Sequence, residues 1–194
     1  GMGTINIAED GTLTYQSITG ATADSTVNPI ERMRIDASGH TIIPAGVTLG
    51  TAVGVYDAAN TLDDYEEGTW VIGLTFGGAN VGMTTSATDG AYTKVGNLVT
   101  CTGYFALTAK GSSTGDAVIT GLPFTVSSIN GGYSALSIRN IRISFADILE
   151  GNTVKNGTTV TLSEATNAGS ISAITDANFA NDSGFIMSVT YRTD

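Results

Sequence analysis

Four carboxylates, Asp63, Asp64, Glu66 and Glu67, fall within five positions directly ahead of the chain's only tryptophan, Trp70. Residues of this type could act as an acid/base pair, cradle a cation, or solvate the boundary between two folded parts. Glycoside hydrolysis needs two carboxyl groups on opposite sides of a sugar, one of them in an environment that raises its pKa. Asp63 and Asp64 are chain neighbours and point to different sides of an extended backbone. A calcium loop needs a glycine at its sharp turn and ligands at alternating positions, a spacing that "DDYEEGTW" lacks. The run therefore reads as a solvated linker or inter-subunit contact that ends one segment and starts the next. A cation site and a catalytic pair are the alternatives.

The other reactive side chains are sparse. His40 is the single histidine and follows the turn "DASG" with no nucleophile beside it, which reads as a polar turn residue. Cys101 is the single cysteine; it excludes an intramolecular disulfide, and with one histidine it leaves no thiolate and imidazole set for zinc. The glycine-rich stretch "GGANVG" lacks the lysine and the following helix that a phosphate loop requires. No catalytic residue, metal or cofactor is expected. Trp70 could be a platform for a sugar ring, but at the first strand of a β domain it reads first as core.

Composition bounds the partners. Eighteen acidic against eight basic residues give a net charge of −10, which repels phosphate backbones and anionic lipid. Nucleic acid and membrane surfaces are unfavourable partners for such a surface. No run of about 18 apolar residues is present, so no transmembrane helix is expected, and "GMG" lacks the basic and apolar regions of a signal peptide. The glycine ahead of Met2 reads as a tag-cleavage scar on a piece of a longer protein. Charged residues make up 13% and hydrophobic residues 41%, an ordinary balance for an ordered chain.

Most of the patterning has a period of two. In "LVTCTGYFALTA", Val99, Cys101, Phe105 and Leu107 fall on one face and Thr100, Thr102, Tyr104 and Thr108 on the other. "FIMSVTYR" repeats the pattern, with Phe185, Met187, Val189 and Tyr191 inward. "IRISF" places Ile141, Ile143 and Phe145 on one side and Arg142 and Ser144 on the other. Gly96-Asn97 between "AYTKV" and "LVTCT" reads as a hairpin turn. Further strands are expected near 69–76, 116–120, 133–139, 158–163 and 170–174. Short strands separated by glycine, asparagine and serine predict an all-β fold with a jelly-roll-like β-sandwich over 62–194. Loops 77–90, 109–116 and 127–133 are its candidate recognition surfaces. Asn80, Asp89, Asn130 and Tyr133 are the side chains there best suited to hydrogen-bond or stack on a sugar.

Residues 1–61 carry only small apolar groups: Ile5 and Ile7, Leu13 and Tyr15, Met33 and Ile35, Ile42 and Ile43, Val47 and Leu49. Such a segment buries little area against a backbone entropy of about 1 to 2 kcal/mol per residue. It is expected to be an elongated β stalk that assembles with copies of itself, three thin apolar sides making one axial core.

Four stretches carry a resemblance. "ERMRIDASGHTII" at 31–43 resembles a segment that recurs in phage tail-fibre and related stalk proteins. "LDDYEEGTW" at 62–70, "YTKVGNLV" at 92–99 and "ITGLPF" at 119–124 are similar, in that order, to the C-terminal module of phage and prophage tail proteins. "VIGLTF" departs from the family after Trp70, where a proline-containing strand is common. The resemblance implies an intertwined homotrimer in a virion tail fibre, assembled in the host cytoplasm with other tail proteins, whose tip recognises a host cell-surface glycan or protein without enzymatic action. A polysaccharide-degrading tail spike and a purely structural fibre or decoration module are the alternatives.

Overall fold

The computed structural model describes residues 2–18, 29–48, 61–62 and 64–194. It is all β, and the chain divides into two compact units, Gly1–Asp64 and Tyr65–Asp194.

In the first unit β1 (Met2–Ile7), β2 (Leu13–Ile18), β3 (Ile30–Ile35) and β4 (Thr41–Ile42) form a four-stranded antiparallel meander. A second pair joins β5 (Val47–Thr48) to β6 (Thr61–Leu62). The turns follow from the sequence. Asp10 accepts the Thr12 amide at 2.9 Å beside Gly11 at φ +86°. Asp36 accepts the Ser38 and His40 amides, each at 2.9 Å, as a short side chain does when it closes a turn on its own backbone. Those bonds, the His40 amide foremost, hold the Asp36 carboxyl below the usual range. Cross-strand partners share a face. The register therefore sets Ile5, Tyr15 and Met33 in one row and Ile7, Leu13 and Ile35 in the next. Ile5 is 69% and Ile7 76% exposed, so this apolar face lies open.

The second unit is a β-sandwich. One five-stranded sheet has the order β12 (Ser137–Ile143), β16 (Phe179–Arg192), β10 (Leu98–Ala109), β9 (Thr84–Val95), β7 (Tyr65–Val71). The other runs β13 (Ile148–Thr153), β14 (Thr159–Ala165), β11 (Ala117–Thr120), β8 (Gly73–Phe76), with β15 (Ile171–Ala173) also paired to β14. Both sheets supply the core: Trp70, Val99, Cys101, Phe105, Phe185, Met187, Val189 and Tyr191 from the first, Leu74, Phe76, Ile119, Val160 and Leu162 from the second. Phe105 stacks on Phe185 with centroids 5.1 Å apart, and Phe76 meets Phe179 edge-on, also at 5.1 Å. Burial raises the Cys101 thiol to about 12, the state of an inert core side chain.

Several expectations are corrected. The residues of 77–90 do not all form a loop, because β9 begins at Thr84 and extends the hairpin opposite β10, so Asp89 lies inside a strand. The strand expected at 133–139 runs instead from Ser137 to Ile143. Ile141 and Ile143 do not share a face. Ile141 pairs with Gly184 and Ile143 with Phe179 across a bulge at Arg142, whose φ is +52°. The extra residue of a bulge reverses the alternation that a period of two assumes. At the hairpin turn Gly96 takes φ +56° and Asn97 stays out of the left-handed region, the requirement of a type II′ turn. β13 has no counterpart among the expected strands. It carries Gly151, where an added Cβ would stand 2.6 Å from the Thr161 carbonyl oxygen, so close strand packing put a turn-like residue inside a strand.

Glu66 and Glu67 likewise belong to a strand and not to a linker; Asp63 lies outside the described residues. Glu66 is opposite Lys94 and accepts the Tyr92 hydroxyl. Glu67 accepts the Tyr65 hydroxyl. These bonds to carboxylates raise both phenols above their ordinary value, because each proton is held by an anion.

Phe105 is buried and Thr102 exposed on one strand, so chemical denaturation of Phe105→Ala should show a loss of about 3 to 5 kcal/mol. Thr102→Ala should stay within about 0.5 kcal/mol. Equal losses would place the core on the wrong face.

Candidate functional site

The inner face of the five-stranded sheet is covered by the second sheet, and its outer face carries an open hollow. Register fixes what stands there. Val71, Asp89, Tyr104, Ile186 and Arg139 form one row across β7, β9, β10, β16 and β12. The adjacent row is Thr69, Ala91, Thr102, Ser188 and Ser137. Together Asp89, Ala91, Thr102, Tyr104, Ser137, Arg139, Ile186 and Ser188 line an open groove of about 650 Å³. Its floor is made of the small side chains of Ala91, Thr102, Ser137 and Ser188, the last three bearing hydroxyls, and the bulky row forms its wall. From Asp89 to Arg139 the row crosses three strand spacings, about 14 Å.

The groove floor rests on a close approach of backbone to core. Gly90 and Gly103 are cross-strand partners, and a Cβ added to Gly90 would lie 2.3 Å from Trp70 Nε1, one added to Gly103 2.2 Å from Ile72 Cδ1. The indole thus fills the space that Gly90 leaves, and its Nε1 donates to the Thr102 carbonyl at 3.2 Å. Trp70 is 6% exposed, which makes it core and not a sugar platform. Cross-strand covering of a glycine by an aromatic recurs next to it, where Tyr92 lies over Gly68.

Among the described residues the Asp89 carboxylate, the Tyr104 hydroxyl and the Arg139 guanidinium have no hydrogen-bond or ion-pair partner, while Tyr104 is 43% and Ile186 42% exposed. The arrangement offers an acceptor at one end, a donor fork at the other and an aromatic ring between them. Groups of this kind are chemically able to hydrogen-bond and stack on a sugar ring without enclosing it. Glycosidic cleavage would need two carboxyl groups across the bond, and Asp89 is the one carboxylate among the lining residues described. No group of three or more His, Cys, Asp or Glu that could hold a metal ion occurs among the described residues.

The four residues expected to recognise a receptor do not converge. Asp89 lines the groove. Asn80 sits in the turn between β8 and β9, its carbonyl accepting the Met83 amide at 3.1 Å, beside a smaller hollow of about 210 Å³. Asn130 and Tyr133 do meet each other, through Lys155: its Nζ donates to Asn130 Oδ1 at 2.9 Å and lies 5.1 Å from the Tyr133 ring centre. Tyr104, Arg139, Ser137, Ser188 and Thr102 were missed as site residues. The outward alternation of β10 and β16 already separated Thr102, Tyr104 and Ser188 from the core, and that a whole sheet face lacks a covering layer is the signal that would have singled them out.

Comparison with protein-family models, with curated proteins and with solved structures returns no match to this chain.

Because Trp70 is the single tryptophan, its fluorescence reports the groove floor directly. Gly90→Ala should shift the Trp70 emission and lower stability by about 1 to 3 kcal/mol as the new methyl group displaces the indole. An unchanged spectrum and midpoint would refute the close approach.

Proposed function

We propose that the chain is the distal part of a homotrimeric phage tail fibre, whose sandwich unit binds a host cell-surface glycan and does not cleave it. The observation that carries the reading is the open groove with Asp89, Tyr104 and Arg139 in one cross-strand row above a hydroxyl-bearing floor. A long, shallow site with a mostly apolar lining and charged groups at its two ends suits a polymer whose sugar rings stack along it. Weak contact at each groove suffices, since three linked sites on one surface gain about 10² to 10⁴ in avidity.

Two further observations support the reading. The open rows of Ile5, Tyr15, Met33 and Ile7, Leu13, Ile35 give the first unit an apolar face that further copies of the same face would cover. The three segments of the second unit that carry the tail-protein resemblance also meet in space. Tyr92 and Phe124 are edge-on at 5.3 Å, Lys94 Nζ lies 5.5 Å from the Phe124 ring centre, and Tyr92 donates to Glu66. Segments that pack on one another are constrained together, which gives a physical reason for their recurrence as a set.

Light scattering of the full chain should return three times the chain mass. Binding to a panel of bacterial cells and purified surface polysaccharides should find a partner, and Tyr104→Ala should weaken it about tenfold or more, the equivalent of 1.4 kcal/mol. The bound polysaccharide should show no new reducing ends. A monomer, a Tyr104→Ala variant that binds normally, or release of reducing ends would each overturn the corresponding part of the proposal.

A further inference from the structure

We infer that the glycan taken by this groove is acidic, and that Arg139 on β12 receives its anionic group. The inference rests on the proposal that the groove binds a glycan, and it adds the chemical class of that glycan and its orientation.

Arg139 stands at the β12 end of the wall row. Its neighbours on the groove face are Ser137 on its own strand and Ile186 and Ser188 on β16, none of which carries charge. The other charge in the row is Asp89, three strand spacings away at about 14 Å. That separation exceeds the Debye length of about 8 Å at physiological ionic strength, so Asp89 does not neutralise the guanidinium. Arg142, three residues on in the same strand, is different, because Asp182 pairs with it. Lys110 is paired as well, with Asp176 at 3.5 Å. The net charge of −10 repels a polyanion at long range, but that field is screened beyond about 8 Å, and at contact the unneutralised planar fork at one end of the groove is set to receive one anionic group.

The chemistry of that anion follows from the fork. A guanidinium offers parallel N–H donors that match two oxygens of a carboxylate or of a phosphate ester. Both occur as substituents of sugar polymers, a carboxylate on an acidic sugar ring and a phosphodiester between units. The rest of the groove is neutral or acidic, and Asp89 at the far end repels a second anion. The ligand is thereby oriented, with its acidic group at β12, a ring over Tyr104 and hydroxyls or an amino group toward Asp89.

The test uses the full chain and a panel of purified acidic and neutral bacterial surface polysaccharides. Each bound polysaccharide is assayed again after chemical reduction of its carboxylates to alcohols and, separately, after complete removal of its phosphate as free phosphate, alongside fragments of the same shortened length that keep their phosphate. The inference expects acidic polymers to bind, and one of the two treatments to weaken binding about tenfold or more. Whichever treatment does so identifies the anion. Arg139→Gln should produce the same loss on the untreated polymer and no additional loss on the treated one. Arg142→Gln removes the same charge from the same strand outside the groove and should leave binding unchanged, which separates contact from the overall field. Binding that is insensitive to both treatments, or equal losses in Arg139→Gln and Arg142→Gln, would overturn the inference while leaving the glycan-binding groove intact. If no polysaccharide binds the unaltered protein, the groove proposal fails and this inference with it.

Discussion

The stacked pair Phe105 and Phe185 is the contact on which the groove depends. The two rings face each other across β10 and β16 at the centre of the sandwich, and moving either strand by one residue would expose its apolar set to water. Side chains alternate with a period of two, so the register that buries Phe105, Met187 and Val189 also sets Tyr104 beside Ile186 and Thr102 beside Ser188. The outer row is therefore a by-product of core packing, extended by the same rule to Asp89 on β9 and Arg139 on β12. Groups that lie far apart in the chain are aligned by a hydrophobic constraint on the opposite face of the sheet. A site built this way stands on paired strands and needs no ligand to assemble it.

A second set of contacts organises the end of the sandwich where β7 begins. Glu66, Tyr92, Lys94 and Phe124 form a chain of polar and aromatic contacts, and the Tyr191 hydroxyl both accepts the Phe124 amide at 3.2 Å and donates to its carbonyl at 3.1 Å. The segment around Phe124, which lies outside the regular strands, is thus held by two elements of the five-stranded sheet. Two members of the acidic run have a structural role here: Glu66 accepts the Tyr92 hydroxyl within this packed cluster, and Glu67 accepts the Tyr65 hydroxyl. In the first unit the balance is reversed. Its turns are well satisfied, by Asp10 and Asp36, but among the described residues its apolar face stays largely open, with Ile5, Ile7 and Tyr15 exposed.

What could be read from the sequence was what a period of two encodes. The inward faces of β10 and β16 were legible because Val99, Cys101, Phe105, Phe185, Met187, Val189 and Tyr191 alternate without interruption. The hairpin at Gly96 and the inert character of Cys101 were legible for the same local reasons. Ile141 was misplaced because the bulge at Arg142, stabilised by a buried Ser183 hydroxyl on the Arg142 carbonyl, is a tertiary feature with no local marker. Asp89 was placed on a loop because the threonine-rich stretch before it lacks apolar alternation, yet its strand is held by pairing with β10. The groove as a whole was not legible, since beyond the β9–β10 hairpin it depends on register between residues from 47 (Arg139 and Ile186) to 86 (Thr102 and Ser188) positions apart, and such register is a property of the assembled sheet. Glycine carried the opposite lesson: Gly90, placed at the end of a loop by its sequence, sits in mid-strand opposite Gly103, because Trp70 and Ile72 occupy the space of the two missing side chains.

The most direct test of the account is a crystal structure of the protein with an oligosaccharide cut from a surface polysaccharide that it binds. The account predicts sugar density along the outer face of the five-stranded sheet, running from Asp89 across Tyr104 to Arg139, with hydroxyls on Thr102 and Ser188. Sugar seated instead on the Asn130, Tyr133 and Lys155 cluster or at the Asn80 turn, with no sugar in the groove, would contradict it.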